Sequence, residues 1–280
     1  MTNRYVSAFF WGAIIGVLGG LIGLGGAEFR LPVLLSLFHF HTLEAVILNK
    51  ATSLVVVAFA LPFRAGTIPL ETVLASWPII VNLLSGSLLG AWLGAGYATR
   101  LSSAGLQRII AILLVLIALV LVFPHEPSTA SSPPLAGGAL IAAGVIAGLG
   151  IGVVASLLGV AGGELLIPTL VLLFGADIKL AGSLSLAISL PTMITGFTRY
   201  SRDKSFEVLD QNRRFVVTMA CGSIVGVLIG GQFLGVVPNA VLLPGLALIL
   251  IVSAIKTWLH QRGEASAHPA SAPHPGDRPR

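Results

Sequence analysis

Two glutamates lie inside otherwise apolar stretches, and each follows a run of glycines. Glu28 occurs in GLGGAEFRLP (residues 23–32) and Glu164 in GVAGGELLIP (residues 159–168). A charged carboxylate at the centre of a membrane helix costs roughly 2.5–3.5 kcal/mol. Loss of solvent favours its neutral form, so the two glutamates are candidates for proton coupling. Alternatively, free N–H groups at a helix start stabilise each carboxylate as a cap, or Glu28 pairs with Arg30.

The glycines beside these glutamates predict interrupted helices. Glycine lets a helix break and lets a ligand approach the backbone. Exposed N–H groups at the start of a helix, together with its positive dipole end, favour an anion. Two such starts could converge on one anion site, although the glycines could instead only allow close helix packing. The candidate glycines are Gly23, Gly25, Gly26, Gly159, Gly162 and Gly163.

Further polar residues within the apolar runs could contact the same anion. These candidates are Asn49, Lys50, Thr52, Ser53, Ser185 and Ser189. Lys50 could supply positive charge, or its stem could carry the ammonium group to the membrane surface. The hydroxyl groups could donate to substrate oxygens or bond across helices. We predict no metal site, because His39 and His41 lack a third ligand at a suitable spacing.

The elements that position these residues are predicted to be membrane helices. Of the 280 residues, 55% are hydrophobic and 10% are charged, and the mean hydropathy is +0.96. A soluble domain carries about 25% charged residues. Four uncharged runs are each about as long as the roughly 20 residues that a spanning helix needs, or longer. These runs are Tyr5–Ala27, Leu135–Gly163, Leu180–Thr198 and Phe215–Ile255.

The net charge of +5 does not predict nucleic-acid binding, because the basic residues lie mostly in short loops. The single cysteine, Cys221, excludes an intramolecular disulfide. The sequence has no H-E-x-x-H, no G-x-S-x-G and no nucleotide-binding loop, so we predict neither an enzyme nor a cofactor.

A shift of 136 residues aligns the two halves of the chain. It pairs Gly16, Glu28 and Pro32 with Gly152, Glu164 and Pro168, and it also pairs Gly86, Gly90 and Gly94 with Gly222, Gly226 and Gly230. The agreement predicts an all-α polytopic membrane protein with two homologous repeats. We divide the chain into a first repeat (1–124), a linker loop (125–134), a second repeat (135–260) and a disordered tail (261–280).

Each repeat is predicted to contain about four spanning helices and one Gly-rich broken or re-entrant helix. The spanning helices are expected at about 5–27, 44–63, 72–97 and 105–123, and at 135–160, 180–199, 212–235 and 239–259. The re-entrant pieces, 29–38 and 165–175, carry a proline that we place in the first turns. Counted as full spans they would give five per repeat, and an odd number makes the repeats inverted.

The basic loop 199–214 predicts a cytoplasmic side for that end of its helices. Eight crossings then place both termini in the cytoplasm. In this topology Arg100 and Arg108 fall on the opposite side, against the positive-inside rule.

The stretches GLGGAEFRLPVLL and GVAGGELLIPTLV resemble the two copies of the TauE/SafE, or sulfite exporter, family. The segments AVILNKATSL (45–54) and LAGSLSLAIS (180–189) resemble a second family pattern. The residues that match the glycine–proline motif are Gly23, Gly25, Gly26, Pro32 and Leu34, and Gly159, Gly162, Gly163, Pro168 and Leu170. The resemblance implies a secondary transporter with two similar halves that exports sulfur oxyanions or organosulfonates.

We therefore predict a multi-pass transporter of the cell membrane that exports a small anion such as sulfite, an organosulfonate, or a related oxyanion or carboxylate. Ion gradients drive secondary transport, and protons are the candidate coupling ion. The expected partners are the anion and the lipid bilayer, with a homo-oligomer left open. The alternatives are a non-transporting interaction or assembly subunit and a passive anion channel.

Overall fold

The computed structural model describes residues 2–22, 26–65, 70–122, 135–176 and 178–232, and a few positions between 248 and 255. These residues form helices and connecting turns, with no β-strand among them. The helices are α1 (Thr2–Ile22), α2 (Ala27–Ser36), α3 (Thr42–Ala65), α4 (Leu70–Ala75), α5 (Trp77–Ala98), α6 (Ser103–Val122), α7 (Gly137–Leu158), α8 (Gly163–Phe174), α9 (Ile178–Tyr200), α10 (Glu207–Gln211) and α11 (Arg213–Gln232).

Five helices among these residues are long and apolar enough to cross a membrane. They are the segments Thr42–Ala60, Trp77–Ala98, Gly137–Leu158, Leu180–Tyr200 and Arg213–Gly230. The predicted all-helical membrane architecture is confirmed at this level. The linker 125–134, the tail 261–280 and most of the helix predicted at 239–259 lie outside the described residues.

The short helices α2 and α8 each follow an interruption between two helices, at which glycine is needed. Gly26 has φ 68° and Gly162 has φ 79°, while Gly159, which ends α7, has φ 67°. A side chain in this left-handed region costs about 1–2 kcal/mol, because its Cβ approaches the following carbonyl. Glycine has no Cβ, so it allows the chain to turn sharply between α7 and α8.

The prolines of α2 and α8 lie in the second turn, beyond the positions at which a missing N–H does no harm. Pro32 is the sixth residue of α2, and Pro168 is the sixth residue of α8. At this position an N–H would normally bond to the carbonyl four residues earlier. Each proline therefore removes the helical donor from the carbonyl of a glutamate, Glu28 or Glu164.

Glycines allow α5 to pack directly against the backbone of α7. A Cβ on Gly86 would lie less than 3.0 Å from the carbonyl oxygen of Val145, and one on Gly90 would collide with that of Leu149. The residue numbers rise together along both helices, so the helices run parallel. Close approach of this kind is typical of membrane helix pairs with small residues at the interface.

The pair of α1 and α11 repeats this packing in the same register. A Cβ on Gly222 would collide with the carbonyl of Phe9, and one on Gly226 with that of Ala13. Adding 136 to Phe9 and Ala13 gives the residues of α7 that contact α5. Each half of the chain therefore supplies one helix to each of the two close pairs.

Aromatic and basic side chains show which helix ends lie together. Arg199 and Arg202 lie over the ring of Trp92, at 5.7 Å and 4.9 Å from its centre. A Cβ on Gly96 would lie 3.1 Å from Nε of Arg199. The end of α5, with Arg100 just beyond it, therefore lies on the same side as loop 199–214. This corrects the topology that had placed Arg100 on the opposite side.

The end of α2 also lies on this side. Phe38 and Phe40 pack against Phe215 at the start of α11, with ring centres 4.8 Å and 5.4 Å apart. Arg4, at the start of α1, lies over the rings of Phe40 and Phe215. Helix α2 thus returns towards the side from which α1 began. We call this side the basic end; its residues are Arg4, Arg100, Arg199, Arg202, Lys204, Arg213 and Arg214.

Candidate functional site

A small cavity lies where the two helix interruptions meet. Ala27 and Glu28 line it from the start of α2, and Ala161 and Gly163 line it from the break before α8. The volume of the cavity is about 20 Å³. One water molecule needs about 10–15 Å³, so the cavity has room for one or two water molecules. The two interruptions are therefore adjacent, and the cavity between them is small.

Both short helices begin with N–H groups that precede their hydrogen-bond ladders. In α2 the first ladder bonds run from the N–H of Phe29 and Arg30 to the carbonyl of Gly26, at 3.2 Å and 3.3 Å. In α8 they run from Leu165 and Leu166 to the carbonyl of Gly162, at 3.1 Å and 2.9 Å. Helix geometry leaves the earlier N–H groups without an intrahelical acceptor. Those of Ala27, Glu28 and Gly163 belong to residues that line the cavity.

The predicted proton-coupling pair is only partly described. Glu28 is buried, with 2% of its surface exposed, and it lines the cavity. Its carboxylate interacts electrostatically with Arg30. The side chain of Glu164 lies outside the described part of the structure, as do Gly23 and Gly25.

Arg30 is the buried cation beside the cavity, and we had considered it only as a partner of Glu28. It is fully buried. Its guanidinium donates to Ser53 Oγ at 2.9 Å, to Ser223 Oγ at 3.1 Å and to Asn49 Oδ1 at 3.4 Å. These bonds join α2, α3 and α11. An arginine inside a short apolar helix was the sequence signal that could have identified it, since intramembrane charges are commonly functional.

Asn49 joins the two breaks but is not part of the cavity wall. Its Nδ2 donates to the carbonyl of Ala27 at 3.0 Å and to that of Leu158 at 3.1 Å. One amide group therefore holds the start of α2 against the end of α7. Because α3 begins at Thr42, Asn49 lies about two turns inside the helix.

Lys50 neither lines the cavity nor reaches the surface. It is fully buried, and its Nζ donates to Ser156 Oγ at 3.5 Å. Gly196 makes room for the lysine, because a Cβ there would lie 2.8 Å from Cε of Lys50. Ser156 Oγ in turn donates to the carbonyl of Ala91 at 3.0 Å, and Tyr200 Oη donates to the carbonyl of Ser156 at 2.9 Å.

The predicted hydroxyl residues divide into two groups. Ser53, Ser185 and Ser189 line the cavity. Ser189 Oγ donates to the carbonyl of Ala161 at 2.7 Å, and Ser185 Oγ donates within α9. Ser53 Oγ accepts from Arg30, which leaves its own hydrogen free to donate elsewhere. Thr52 donates to the carbonyl of Leu48 and takes no part in the cavity.

The other described residues of the cavity wall are apolar. They are Val56 and Val57 of α3 and Leu186 of α9, and sequence patterns gave no reason to select them. Among the described residues, no group of three His, Cys, Asp or Glu side chains is placed to hold a metal ion.

Residues 144–279 match the family model described as sulfite exporter TauE/SafE. The match begins within α7 and includes α8, α9, α10 and α11, together with the second glycine–glutamate stretch at the junction of α7 and α8. The family resemblance predicted from the sequence is thereby confirmed. Comparison with curated proteins and with solved structures gave no match.

Proposed function

We propose that this multi-pass membrane protein, similar to the TauE/SafE sulfite exporters, is a secondary transporter that moves a small oxyanion or organosulfonate out of the cell. The observation that carries the proposal is the cavity between the starts of α2 and α8. Two positive helix ends there offer N–H groups to one anion. Interrupted helices that meet near the middle of the membrane are typical of substrate sites in transporters built from repeats.

The packing supports an inverted relation between the two halves. α1 starts at the basic end, whereas α7 corresponds to α1 by the 136-residue shift and runs towards that end. α5 and α11 are related in the same way, and the two glycine contacts share one register. In inverted repeats each half can adopt the conformation of the other, which exposes one site alternately to the two sides.

Charge supports a cytoplasmic location for the basic end. The positive-inside rule assigns short loops rich in arginine and lysine to the cytoplasm. With the end of α5 placed beside loop 199–214, Arg100 and Arg108 now agree with the rule. The N terminus then lies in the cytoplasm, and the protein resides in the cell membrane.

Glu28 provides the proposed link to protons. An ionised carboxylate in the cavity wall would repel an anion a few ångströms away. We propose that Glu28, and Glu164 in the other half, are protonated when the anion binds. A proton then crosses in the same direction as the anion, and the negative interior of the cell drives any remaining negative charge outward.

The small cavity favours a carrier over a passive channel. A channel needs a continuous pore for the ion, whereas the cavity between the breaks holds one or two water molecules. The anion can enter only when the helices around it move. A non-transporting assembly subunit has no evident use for a small cavity at the junction of two interrupted helices.

Counterflow of radiolabelled sulfite, and of a small organosulfonate, into proteoliposomes tests the proposal. The wild type should accumulate label only when the same anion is trapped inside. The double variant Ser53→Ala and Ser189→Ala should lower the apparent affinity about tenfold or more, since both serines line the cavity and the anion would accept the hydrogen that Ser189 now donates to Ala161. Ser201→Ala, in the exposed loop, is the matched control and should match the wild type. Absence of counterflow for all anions tried, or linear uncoupled current, would refute the transporter.

A further inference from the structure

The cavity does not lie on the symmetry centre of the two halves. α3 contributes Ser53, Val56 and Val57, while α9 contributes Ser185, Leu186 and Ser189. With the 136-residue shift, the α9 residues correspond to positions 49, 50 and 53 of α3. Among the described residues of α3 and α9, only the serine pair, Ser53 and Ser189, is common to both walls; Ala27 and Gly163, at the helix starts, form a second matching pair. The other wall positions differ by one helical turn.

The direction of this offset is the same in both helices. α3 runs away from the basic end, so Val56 and Val57 lie one turn farther from it than Ser53. α9 runs towards the basic end, so Ser185 and Leu186 also lie farther from it than Ser189. The cavity is therefore displaced from the serine pair by up to one turn, about 5 Å, away from the basic end.

We infer that a second arrangement exists in which the cavity is displaced towards the basic end and Lys50 forms part of its wall as an anion-binding residue. This inference rests on the transport function and the inverted repeats proposed above. In the second arrangement α3 takes the present conformation of α9, and Lys50 takes the place of Leu186. Thr192 of α9 then takes the place of Val56.

The present contacts of Lys50 fit a residue that a weak hydrogen bond keeps outside the cavity. Within the part of the chain that the structure describes, its ammonium group has one hydrogen bond, to Ser156 Oγ, at the long distance of 3.5 Å. Among the described residues no carboxylate lies within 4.0 Å of it. A buried charge without an opposite charge is costly, and a bound anion would remove that cost. The stem of Lys50 lies against Gly196, where a Cβ would be 2.8 Å from its Cε, so the missing side chain accommodates the lysine in its present position.

Thr192 also lies outside the present cavity. It is buried, and its hydroxyl group forms a 2.8 Å hydrogen bond with Ser87 Oγ of α5. In the second arrangement this hydroxyl would face the anion, together with Asn49. The cavity near the basic end is thus more polar and more positive than the present one, which has Leu186 and Val56 at the same positions.

The two arrangements therefore bind the anion with different strength. A charge-assisted hydrogen bond contributes about 1.5–3 kcal/mol, which corresponds to roughly ten- to hundredfold in affinity. The arrangement with the cavity displaced towards the basic end has this contact, and the present arrangement does not. A transporter with this asymmetry loads anions at low concentration in the cytoplasm and releases them readily outside.

Cysteine accessibility tests the second arrangement without any substrate. In a Cys221→Ser background, Thr192→Cys and its counterpart Val56→Cys would be exposed to a membrane-impermeant thiol reagent from either side of oriented vesicles. We expect Thr192→Cys to react only from the basic end and Val56→Cys only from the far side. Reaction of both variants from one side, or of neither from any side, would overturn the inference.

Sided transport assays test the role of Lys50. Lys50→Leu should raise the half-saturating sulfite concentration about ten- to hundredfold at the basic end and leave it within about twofold at the far side. Lys50→Arg, the control, should retain most of the asymmetry. The exchange variant Lys50→Leu with Leu186→Lys should reverse it. An equal effect on both sides, or no effect, would contradict the assignment of Lys50.

The two assays separate this inference from the proposed function. If the wild type moves no anion while Thr192→Cys and Val56→Cys react as expected, the transport function fails and the second arrangement stands. If transport is normal and Lys50→Leu changes neither affinity, the role of Lys50 is refuted and the transport function stands.

Discussion

The close contact between α5 and α7 makes a prediction that two neighbouring glycines can test. Gly152 faces α5, and a Cβ there would lie 2.9 Å from the backbone nitrogen of Ala91 and still closer to the carbonyl of Ser87. Gly150 lies on the same helix and would meet nothing within 4 Å. Alanine gains about 1 kcal/mol of helix propensity over glycine at either position. Overpacking against backbone adds a cost of about 1–3 kcal/mol at Gly152 alone.

We therefore expect Gly150→Ala to raise the free energy of unfolding by up to about 1 kcal/mol, and Gly152→Ala to fall about 1–3 kcal/mol below it. Thermal unfolding of the purified protein in detergent measures the difference. In a chain of a few hundred residues, each kcal/mol corresponds to roughly 2–4 °C in Tm. Equal Tm values for the two variants would show that α5 and α7 do not pack as described.

Three further variants test the site. Glu28→Gln should keep anion counterflow and lose its dependence on a proton gradient; an unchanged dependence in proteoliposomes would remove Glu28 from coupling. Arg30→Lys keeps the charge but cannot reach Ser53 and Ser223 together, so it should weaken sulfite affinity about tenfold on both sides of the membrane. Equal affinities would show that the guanidinium geometry is unimportant. Gly196→Ala should displace Lys50 without unfolding the protein, because the clashing atoms belong to a flexible side chain and to Ser156 Oγ. Faster thiol labelling of Thr192→Cys from the basic end would confirm it, and unchanged labelling would contradict it.

The long helices and the interruptions between helices were predictable because local patterns encode them. Uncharged runs of about 20 residues predict spans, and the glycine runs before Glu28 and Glu164 predict the interruptions. The same patterns carried the family resemblance, which the match over residues 144–279 confirms. These signals depend on neighbours in sequence, so one chain without a structure is sufficient to interpret them.

The topology was not predictable, because the sequence left open whether the short helices count as spans. A ten-residue helix such as α2 does not reveal from its sequence whether the chain returns to the side from which it came. The side became clear only when Phe38 and Phe40 were found against Phe215. That contact brings together residues separated by more than half of the chain.

The buried polar network was also hidden from sequence patterns. Arg30 and Ser223 are 193 residues apart, yet their side chains lie 3.1 Å from each other. Sequence patterns left two interpretations of Lys50 open, and its buried position beside Ser156 became clear only from the structure. The one-turn offset of the cavity depends on how α3 and α9 pack, which no local pattern determines.

Anomalous scattering from selenite, an analogue of sulfite with a heavier central atom, tests the central claim most directly. In crystals of the protein grown with selenite, we predict one strong peak between the start of α2 and the start of α8, within hydrogen-bond reach of Ser53 and Ser189. A peak elsewhere in the molecule, or no peak at saturating selenite, would contradict an anion site at the junction of the two breaks.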